Sequence, residues 1–248
     1  MDKIIAIGGG QTFDDNKLIN KEIIKLTGKS NPKILFIPTA SGDAVAYYEK
    51  FVKHFGNELG AKCDVLYLIT DKPEWRAIKH KILSSDAIYV GGGNTLMMLK
   101  LWRKMGVDKL LKEAYKKGVV LSGLSAGSIC WFQYEHSDSL SFSNKKWEYI
   151  RINGLGLIKG IHCPHFNGQS KYIKRRKNFK KFMKRYPDMG IALDNNCAIE
   201  FINNKYRVIS TKIGRKGYKV YKKDGNIIAS PINESKEFRP IKNIYIKE

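Results

Sequence analysis

The stretch Val119-Val120-Leu121-Ser122-Gly123-Leu124-Ser125-Ala126-Gly127-Ser128 decides both the fold and the chemistry of this chain. An apolar, β-branched run enters a Gly-x-Ser-x-Gly turn, and the residues after the turn can continue as a helix. A nucleophile elbow requires this strand-turn-helix context, because the sharp turn exposes the serine hydroxyl at its apex. The N–H of Ala126, at the start of the helix, is placed to donate to an oxyanion. The pattern predicts Ser125 as a nucleophile, and a glycine-rich turn with an incidental serine is the alternative.

Segments of continuous apolar sequence alternate with helix-compatible segments through the first half of the chain. Strands are predicted at residues 3–7, 33–38, 64–69, 87–90 and 119–124, and helices at 15–26, 44–59, 72–83, 95–105 and 108–117. Strands that are apolar along their whole length are typical of a parallel sheet covered on both faces. Repeated βαβ units therefore predict an α/β fold with a doubly wound, mostly parallel sheet. Its site should lie at the carboxyl ends of the strands, where the elbow also falls.

The alternation of predicted strands and helices changes after residue 165. A dense basic block at residues 171–185 has apolar positions at helical spacing, which predicts an amphipathic helix with a solvated basic face that includes Arg175 and Arg176. Short strands at 190–193, 197–202, 206–210, 217–221 and 227–230 are separated by turn signals and predict a C-terminal antiparallel extension of the sheet. Because no linker separates the two halves, we expect a single domain over residues 1–248.

Composition limits the classes of partner. The formal net charge is +22, but lysine is spread along the whole chain, so we expect no nucleic-acid partner beyond non-specific charge attraction. No apolar run approaches the ~20 residues that span a bilayer, and the N-terminus has no signal-peptide layout, which predicts a cytoplasmic protein without a membrane partner. Neither glycine run at 8–10 or 91–93 belongs to a nucleotide-binding motif, so we expect no cofactor.

Four cysteines, Cys63, Cys130, Cys163 and Cys197, lack the paired spacing of a zinc site. Three of them fall in apolar segments. This pattern favours reduced, buried thiols, with no disulfide and no metal.

A serine nucleophile needs a base within hydrogen-bond reach, usually a histidine. His54 and His80 fall in predicted surface helices, and His136 falls in a polar turn. His162 and His165 belong to an extended segment that Pro164 stiffens. His165 is the better candidate, because a residue that follows a proline in a loop is easily turned toward a cleft.

Three segments together carry a resemblance: Val90-Gly91-Gly92-Gly93-Asn94-Thr95, Gly123-Leu124-Ser125-Ala126-Gly127 and Pro164-His165-Phe166. In this order and spacing they resemble the peptidase E family of serine peptidases, which includes aspartyl dipeptidases and has cyanophycinase as a relative. The resemblance implies a three-layer, flavodoxin-like fold of the class I glutamine-amidotransferase type. It also implies hydrolysis of short peptides with an acidic N-terminal residue, with Ser125 as nucleophile, His165 as base, and the N–H groups of Gly92 and Ala126 as oxyanion hole.

One position departs from the family. A glutamate is the third catalytic residue in the family pattern, and Asn195 stands at the matching place. An asparagine can orient an imidazole but cannot pair with its positive charge, and the loss reaches ~10⁴ in kcat when a triad aspartate is replaced in this way. Asp194 and Asp138 are the carboxylate alternatives. We favour a carboxylate, because a serine needs a stronger base than a thiol does.

Two functional hypotheses remain. The leading one is a serine hydrolase of the peptidase E type, acting on a small peptide through an acyl-enzyme. The alternative is a catalytically impaired relative that binds a peptide or a polyanion, which Asn195 and the positive charge would suit. Glutamine amidotransfer is disfavoured, because that chemistry uses a cysteine at the elbow. The substrate-binding residues and a homodimer both stay open.

Overall fold

Two β-sheets, one of eight strands and one of six, form the centre of the molecule. The structure, a computed structural model, describes residues 2–170 and 173–247. The strands are β1 Lys3–Ile7, β2 Lys33–Ile37, β3 Lys62–Val65, β4 Ala87–Val90, β5 Val120–Leu124, β6 Phe132–Ser137, β7 Ile150–Asn153, β8 Ile158–Cys163, β9 Gln169–Ser170, β10 Ile173–Lys174, β11 Gly190–Leu193, β12 Cys197–Ile202, β13 Lys205–Ser210, β14 Gly217–Lys223, β15 Asn226–Ile232 and β16 Arg239–Pro240. The helices are α1 Lys17–Thr27, α2 Val45–Phe51, α3 Trp75–Leu83, α4 Thr95–Met105, α5 Val107–Lys116, α6 Ala126–Ile129 and α7 Arg175–Met183.

The first sheet has the strand order β16-β13-β12-β1-β5-β4-β2-β3. Strands β1, β5, β4, β2 and β3 are parallel to one another. Strands β12, β13 and β16 extend this parallel part in antiparallel pairing. The predicted α/β fold class, with a mostly parallel sheet and an antiparallel C-terminal extension, is confirmed here.

The second sheet has the order β15-β14-β11-β8-β6-β7 and was not expected as a separate sheet. Strands β6, β8 and β11 run parallel at its centre, and the outer strands pair antiparallel. The C-terminal strands therefore divide between the two sheets: β12 and β13 join the first sheet, whereas β11, β14 and β15 join the second. The link of three residues between β11 and β12 crosses from one sheet to the other.

Alternation along β1 shows how the layers pack. Ile5 and Ile7 belong to an apolar cluster with residues of α1 and α2, whereas Ile4 and Ala6 face a larger cluster with α3, α4, α5 and the second sheet. Successive side chains of a strand point to opposite faces, so β1 is buried on both. Helix α7 covers the other face of the second sheet through Phe179, Phe182 and Met183.

Several elements differ from their predicted bounds. The helix predicted at 44–59 is α2 followed by a π-helical segment, Val52–Glu58. The strand predicted at 64–69 is β3, which ends at Val65. Helix α7 begins at Arg175, and residues 171 and 172 of the predicted basic helix lie outside the described residues.

The helices of the described ranges, 2–170 and 173–247, are short. None of them has both the length and the apolar composition that crossing a membrane requires.

Candidate active site

Ser125 occupies a strained turn between β5 and α6. Its φ of 57° and ψ of −110° lie outside the common regions for a residue with a side chain. The surrounding backbone fixes the turn: Ser125 N–H donates to Ile7 O at 3.2 Å, and the N–H groups of Ser128 and Ile129 donate to the Ser125 carbonyl at 2.9 and 3.0 Å. Strain of this kind persists only where neighbouring contacts determine it. The elbow predicted from the Gly-x-Ser-x-Gly pattern is thus present.

Close backbone approach explains one glycine of the elbow. A Cβ atom on Gly127 would lie 2.0 Å from the carbonyl oxygen of Val90, at the end of β4. Only a residue without a side chain allows the turn to press against the neighbouring strand at this distance. The sequence pattern around Ser125 therefore reflects the geometry of the turn.

His165 reaches Ser125 from the second sheet. It follows β8 and Pro164, has a φ of 53°, and donates its backbone N–H to Gly8 O at 2.8 Å. Its Nε2 atom lies 2.9 Å from Ser125 Oγ. The structure brings together the two side chains that the sequence predicted as nucleophile and base.

Asn195 lies on the other side of the imidazole, in the link between β11 and β12. Its Oδ1 is 2.6 Å from Nδ1 of His165, and its backbone N–H donates to Asn167 Oδ1 at 2.8 Å. Because an amide oxygen only accepts, Nδ1 of His165 carries the proton and Nε2 accepts the hydroxyl proton of Ser125. This is the tautomer that a general base requires.

Neither carboxylate alternative reaches the imidazole, so the preference for a carboxylate is corrected by the structure. Asp194 is adjacent to Asn195 in sequence, but its carboxylate turns away and accepts the backbone N–H of Lys216 at 3.2 Å. Asp138 pairs with Arg175, with Oδ2 2.9 Å from Nη1. The position that the family pattern gives to a glutamate, Asn195, is the one that contacts His165 here.

Burial and charge together keep His165 neutral. Burial lowers the pKa of the imidazole, and the guanidinium of Arg175 lowers it further, whereas the hydrogen bond that Nδ1 donates to Asn195 and the charge of Asp138 oppose the shift. A histidine with a lowered pKa holds its unprotonated form into mildly acidic solution. The electrostatics suit a general base.

Arg175 is the residue of this region that sequence reasoning missed. It is 3% exposed rather than solvated, donates from Nη2 to the backbone oxygen of His136 at 2.8 Å, and places its guanidinium 4.5 Å from the centre of the Tyr149 ring. Its nearest carboxylate, Asp138, is 37 positions earlier in the chain. A basic block gives no local signal that one of its members is buried.

The predicted oxyanion donors flank Ser125. Ala126 opens helix α6, where the first N–H groups have no acceptor within the helix. A Cβ atom on Gly92 would stand 3.4 Å from the Cβ of Ser125, so the loop after β4 runs directly beside this serine. The Gly92 N–H donates to the hydroxyl of Tyr47 at 3.4 Å, a long hydrogen bond.

A cavity of about 340 Å³ opens beside the elbow. Its wall is aromatic and aliphatic near Leu124, and its mouth carries charged side chains. The lining residues are Gly10, Gln11, Thr12, Phe13, Asp14, Tyr47, Lys50, Lys53, His54, Glu58, Tyr89 and Leu124. Leu124, the residue before Ser125, is part of this lining, which makes the cavity the candidate place for part of a substrate.

One group at this cavity has the residue types of a metal site. Within the described residues, the ligand atoms of Asp14, His54 and Glu58 lie within 4.8 Å of one another. However, Asn20 Nδ2 donates to His54 Nε2 at 3.1 Å, so Nδ1 carries the ring proton and faces the two carboxylates. The observed pattern is that of a hydrogen-bonded cluster, and His54 is buried rather than solvated as its helical context suggested.

The remaining buried histidines have structural partners. His162 Nδ1 donates to Ile191 O at 2.7 Å, and its Nε2 lies 3.0 Å from Ser128 Oγ. Burial lowers the pKa of His162 to about 3. His136 was predicted in a polar turn, but it lies in β6, fully buried, with Nε2 2.9 Å from Asn178 Oδ1.

Comparison with known proteins decides the family. The model of peptidase family S51 matches residues 4–209. This chain belongs to peptidase family S51. The uncharacterized peptidase YgaJ of Bacillus subtilis is 34% identical over 235 residues, which cover 94% of this chain and 97% of YgaJ. This S51 protein is therefore a peptidase of the peptidase E type.

One further curated relative and one solved structure are also similar to this chain. Peptidase E of a Nostoc species is 24% identical over 203 residues, covering 77% of this S51 peptidase and 78% of the relative. The crystal structure of a peptidase from an acI-B1 Actinobacterium covers 97% of each chain with a TM-score of 0.75 at 18% identity. The structural likeness shows that the two chains share the fold.

Proposed function

We propose that this chain is a serine peptidase that cleaves short peptides with an acidic N-terminal residue through an acyl-enzyme. The observation that carries the proposal is the 2.9 Å contact between Ser125 Oγ and His165 Nε2 at a strained elbow. A nucleophile, a base in the correct tautomer and a group that orients the base are the parts that acyl transfer needs.

The proposed reaction begins with attack of Ser125 Oγ on the peptide carbonyl carbon. His165 Nε2 takes the hydroxyl proton, while the N–H groups of Gly92 and Ala126 stabilise the oxyanion. The tetrahedral intermediate collapses as His165 protonates the leaving amine, which breaks the C–N bond and leaves an ester on Ser125. Water, deprotonated by His165, then attacks the ester and releases the acid.

Asn195 supports this cycle by orientation alone. Its amide oxygen fixes the proton of His165 on Nδ1 but provides no negative charge for the imidazolium that forms in the transition state. We therefore expect a peptidase whose turnover is limited by the missing charge.

Lys50 and Lys53 support the acidic preference. Both are exposed and line the cavity at Leu124, Lys50 on α2 and Lys53 on the π-helical segment that follows it. Ammonium groups at that position attract a substrate carboxylate. The location in the cytoplasm and the absence of a membrane or specific nucleic-acid partner remain proposals of the same kind.

A fluorophosphonate probe tests the nucleophile. We expect the wild type to be labelled and Ser125→Ala to remain unlabelled. Ser128→Ala is the matched control, because Ser128 forms the second serine–histidine contact, at 3.0 Å from His162, and is fully buried. Labelling that persists in Ser125→Ala would overturn the assignment.

Hydrolysis of dipeptides tests the substrate class. We expect Asp-Leu to be cleaved faster than Ala-Leu, and the same preference to weaken in the double variant Lys50→Gln/Lys53→Gln. A wild type that neither reacts with the probe nor hydrolyses any acidic dipeptide, yet binds peptides or polyanions, would establish the binding protein instead.

A further inference from the structure

Tyr47 brings a phenol hydroxyl to the oxyanion side of Ser125. The residue lies on α2, and its ring is held between the loop after β4 and the core. A Cβ atom on Gly91 would meet Tyr47 Cε1 at 2.8 Å, and the ring packs edge-on against Phe36 with centroids 5.0 Å apart. The ring is thus clamped with its hydroxyl 3.4 Å from Gly92 N.

The direction of this hydrogen bond leaves the phenol proton available. Gly92 N–H is the donor, so the Tyr47 oxygen is the acceptor and its own proton must point elsewhere. In the described part of the chain, Gly92 is the protein group that the hydroxyl bonds. Tyr47 is also one of the residues that line the cavity at Leu124, so a phenol proton that turns away from Gly92 can be offered to a substrate in that space.

We propose that the Tyr47 hydroxyl is a third donor of the oxyanion hole, acting with the N–H groups of Gly92 and Ala126. The inference rests on the proposed function and names a further catalytic residue for it. When the substrate carbonyl enters, the long Gly92–Tyr47 bond opens, and both donors turn to the oxygen. Burial raises the pKa of Tyr47, so the hydroxyl keeps its proton throughout the pH range in which His165 is a base.

Tyr47→Phe isolates the hydroxyl. Removal of one oxyanion donor lowers kcat by about 10²-fold or more, and we expect a loss of that order with KM changed by less than about threefold, because the donor acts mainly in the transition state. Tyr48→Phe is the matched control, since Tyr48 is the adjacent tyrosine of the same helix and faces Cys63, Asp64 and Tyr67 instead. We expect it to keep wild-type kcat.

A second readout separates chemistry from structure. A peptide aldehyde, which forms a tetrahedral adduct on the serine, should bind Tyr47→Phe about 10²-fold more weakly, while binding of the product amino acid stays the same. If Tyr47 only supports the loop, Tyr47→Phe frees Gly92 N–H, and kcat and aldehyde affinity stay equal to wild type or rise. That result would overturn the inference.

The proposed function can fail independently. Its failure appears in the wild type as absence of Ser125 labelling by the fluorophosphonate probe. Where the wild type is labelled but turns over slowly, the rate of phosphonylation replaces kcat, because the phosphoryl oxygen occupies the same donors. An equal rate in the wild type and Tyr47→Phe then rejects the third donor while the nucleophile stands.

Discussion

The Nδ1 atom of His165 lies 2.6 Å from the amide oxygen of Asn195. A neutral amide thus occupies the place beside this imidazole where the family pattern has a carboxylate. The contact fixes the orientation and the tautomer of the imidazole but adds no charge. The consequences of that difference can be measured.

Asn195→Asp should raise turnover, because aspartate has the same shape and adds a negative charge beside Nδ1. By the reverse of the triad replacement, the gain in kcat should be at least about tenfold and at most ~10⁴-fold. The charge also favours the imidazolium, so the pKa of His165 should rise. Asp-Leu hydrolysis against pH measures both effects; Asn195→Ala, which removes the orienting oxygen, should lower kcat.

The pH profile of the wild type should report the lowered pKa of His165. The base works only when unprotonated, so kcat/KM should rise with pH through that pKa and then level. Because burial and Arg175 lower the pKa, the midpoint should fall below the ordinary value of about 6.5. A midpoint above 6.5 would contradict the electrostatic picture, and Asn195→Asp should shift it upward.

Gly9→Ala should separate the base from its partners. A Cβ atom on Gly9 would lie 2.0 Å from Asn195 Oδ1 and 2.3 Å from His165 Nδ1. Since a displacement of about 1 Å at a catalytic group costs about 10²-fold in rate, we expect a loss of at least that size. Gly56→Ala, where a Cβ atom meets its nearest neighbour at 3.4 Å, should leave activity unchanged.

Asp138→Asn should destabilise the fold more than it affects the chemistry. The change leaves the guanidinium of Arg175 buried without its carboxylate, and because the Asp138 side chain is 32% exposed we expect a loss of about 1–3 kcal/mol, below that of a fully buried pair. Urea unfolding measures the loss. The exposed Lys177 on the same helix is the control, because Lys177→Gln should change the free energy of unfolding by less than about 0.5 kcal/mol.

The four cysteines should behave as thiols. Cys130, Cys163 and Cys197 are buried, and Cys63 is partly buried with a pKa that burial raises to about 11. Ellman's reagent should therefore react slowly with at most one thiol in the native protein and with four after denaturation. An intact mass lower by two hydrogens, measured without reductant, would reveal a disulfide and refute this expectation.

Sequence periodicity predicted most strands of the first sheet, but in the second sheet it predicted β11, β14 and β15 and not β6, β7 and β8. Strands β1 and β4 match their predicted bounds because their residues are apolar on both faces. Strand β6 was not predicted because it carries Glu135 and His136, which are fully buried although they are ionisable. In a sequence, a buried strand with polar side chains has the same pattern as a surface segment. Only the tertiary contacts distinguish a buried strand of this kind from a surface segment.

The residues of the candidate site also divide into those that the sequence predicts and those that it does not. Ser125 and His165 follow from local signals, a Gly-x-Ser-x-Gly turn and a Pro-His pair. The choice among Asn195, Asp194 and Asp138 does not, because it depends on how one turn is rotated and on a pairing with Arg175 across the chain. Chemistry alone favoured a carboxylate as the group that orients His165. The path of the backbone places the amide of Asn195 there instead.

The candidate catalytic pair, Ser125 and His165, joins two separate sheets. Ser125 follows the end of β5 in the first sheet, and His165 follows the end of β8 in the second. Asn195 lies in the link between β11 and β12, which connects the two sheets. A shift of one sheet against the other by about an ångström would separate the Ser125 hydroxyl from the His165 imidazole. The backbone hydrogen bonds within each sheet would remain intact. Enzymatic activity therefore reports how the two sheets pack against each other. Mild denaturant should abolish activity while the circular dichroism spectrum remains that of the native protein.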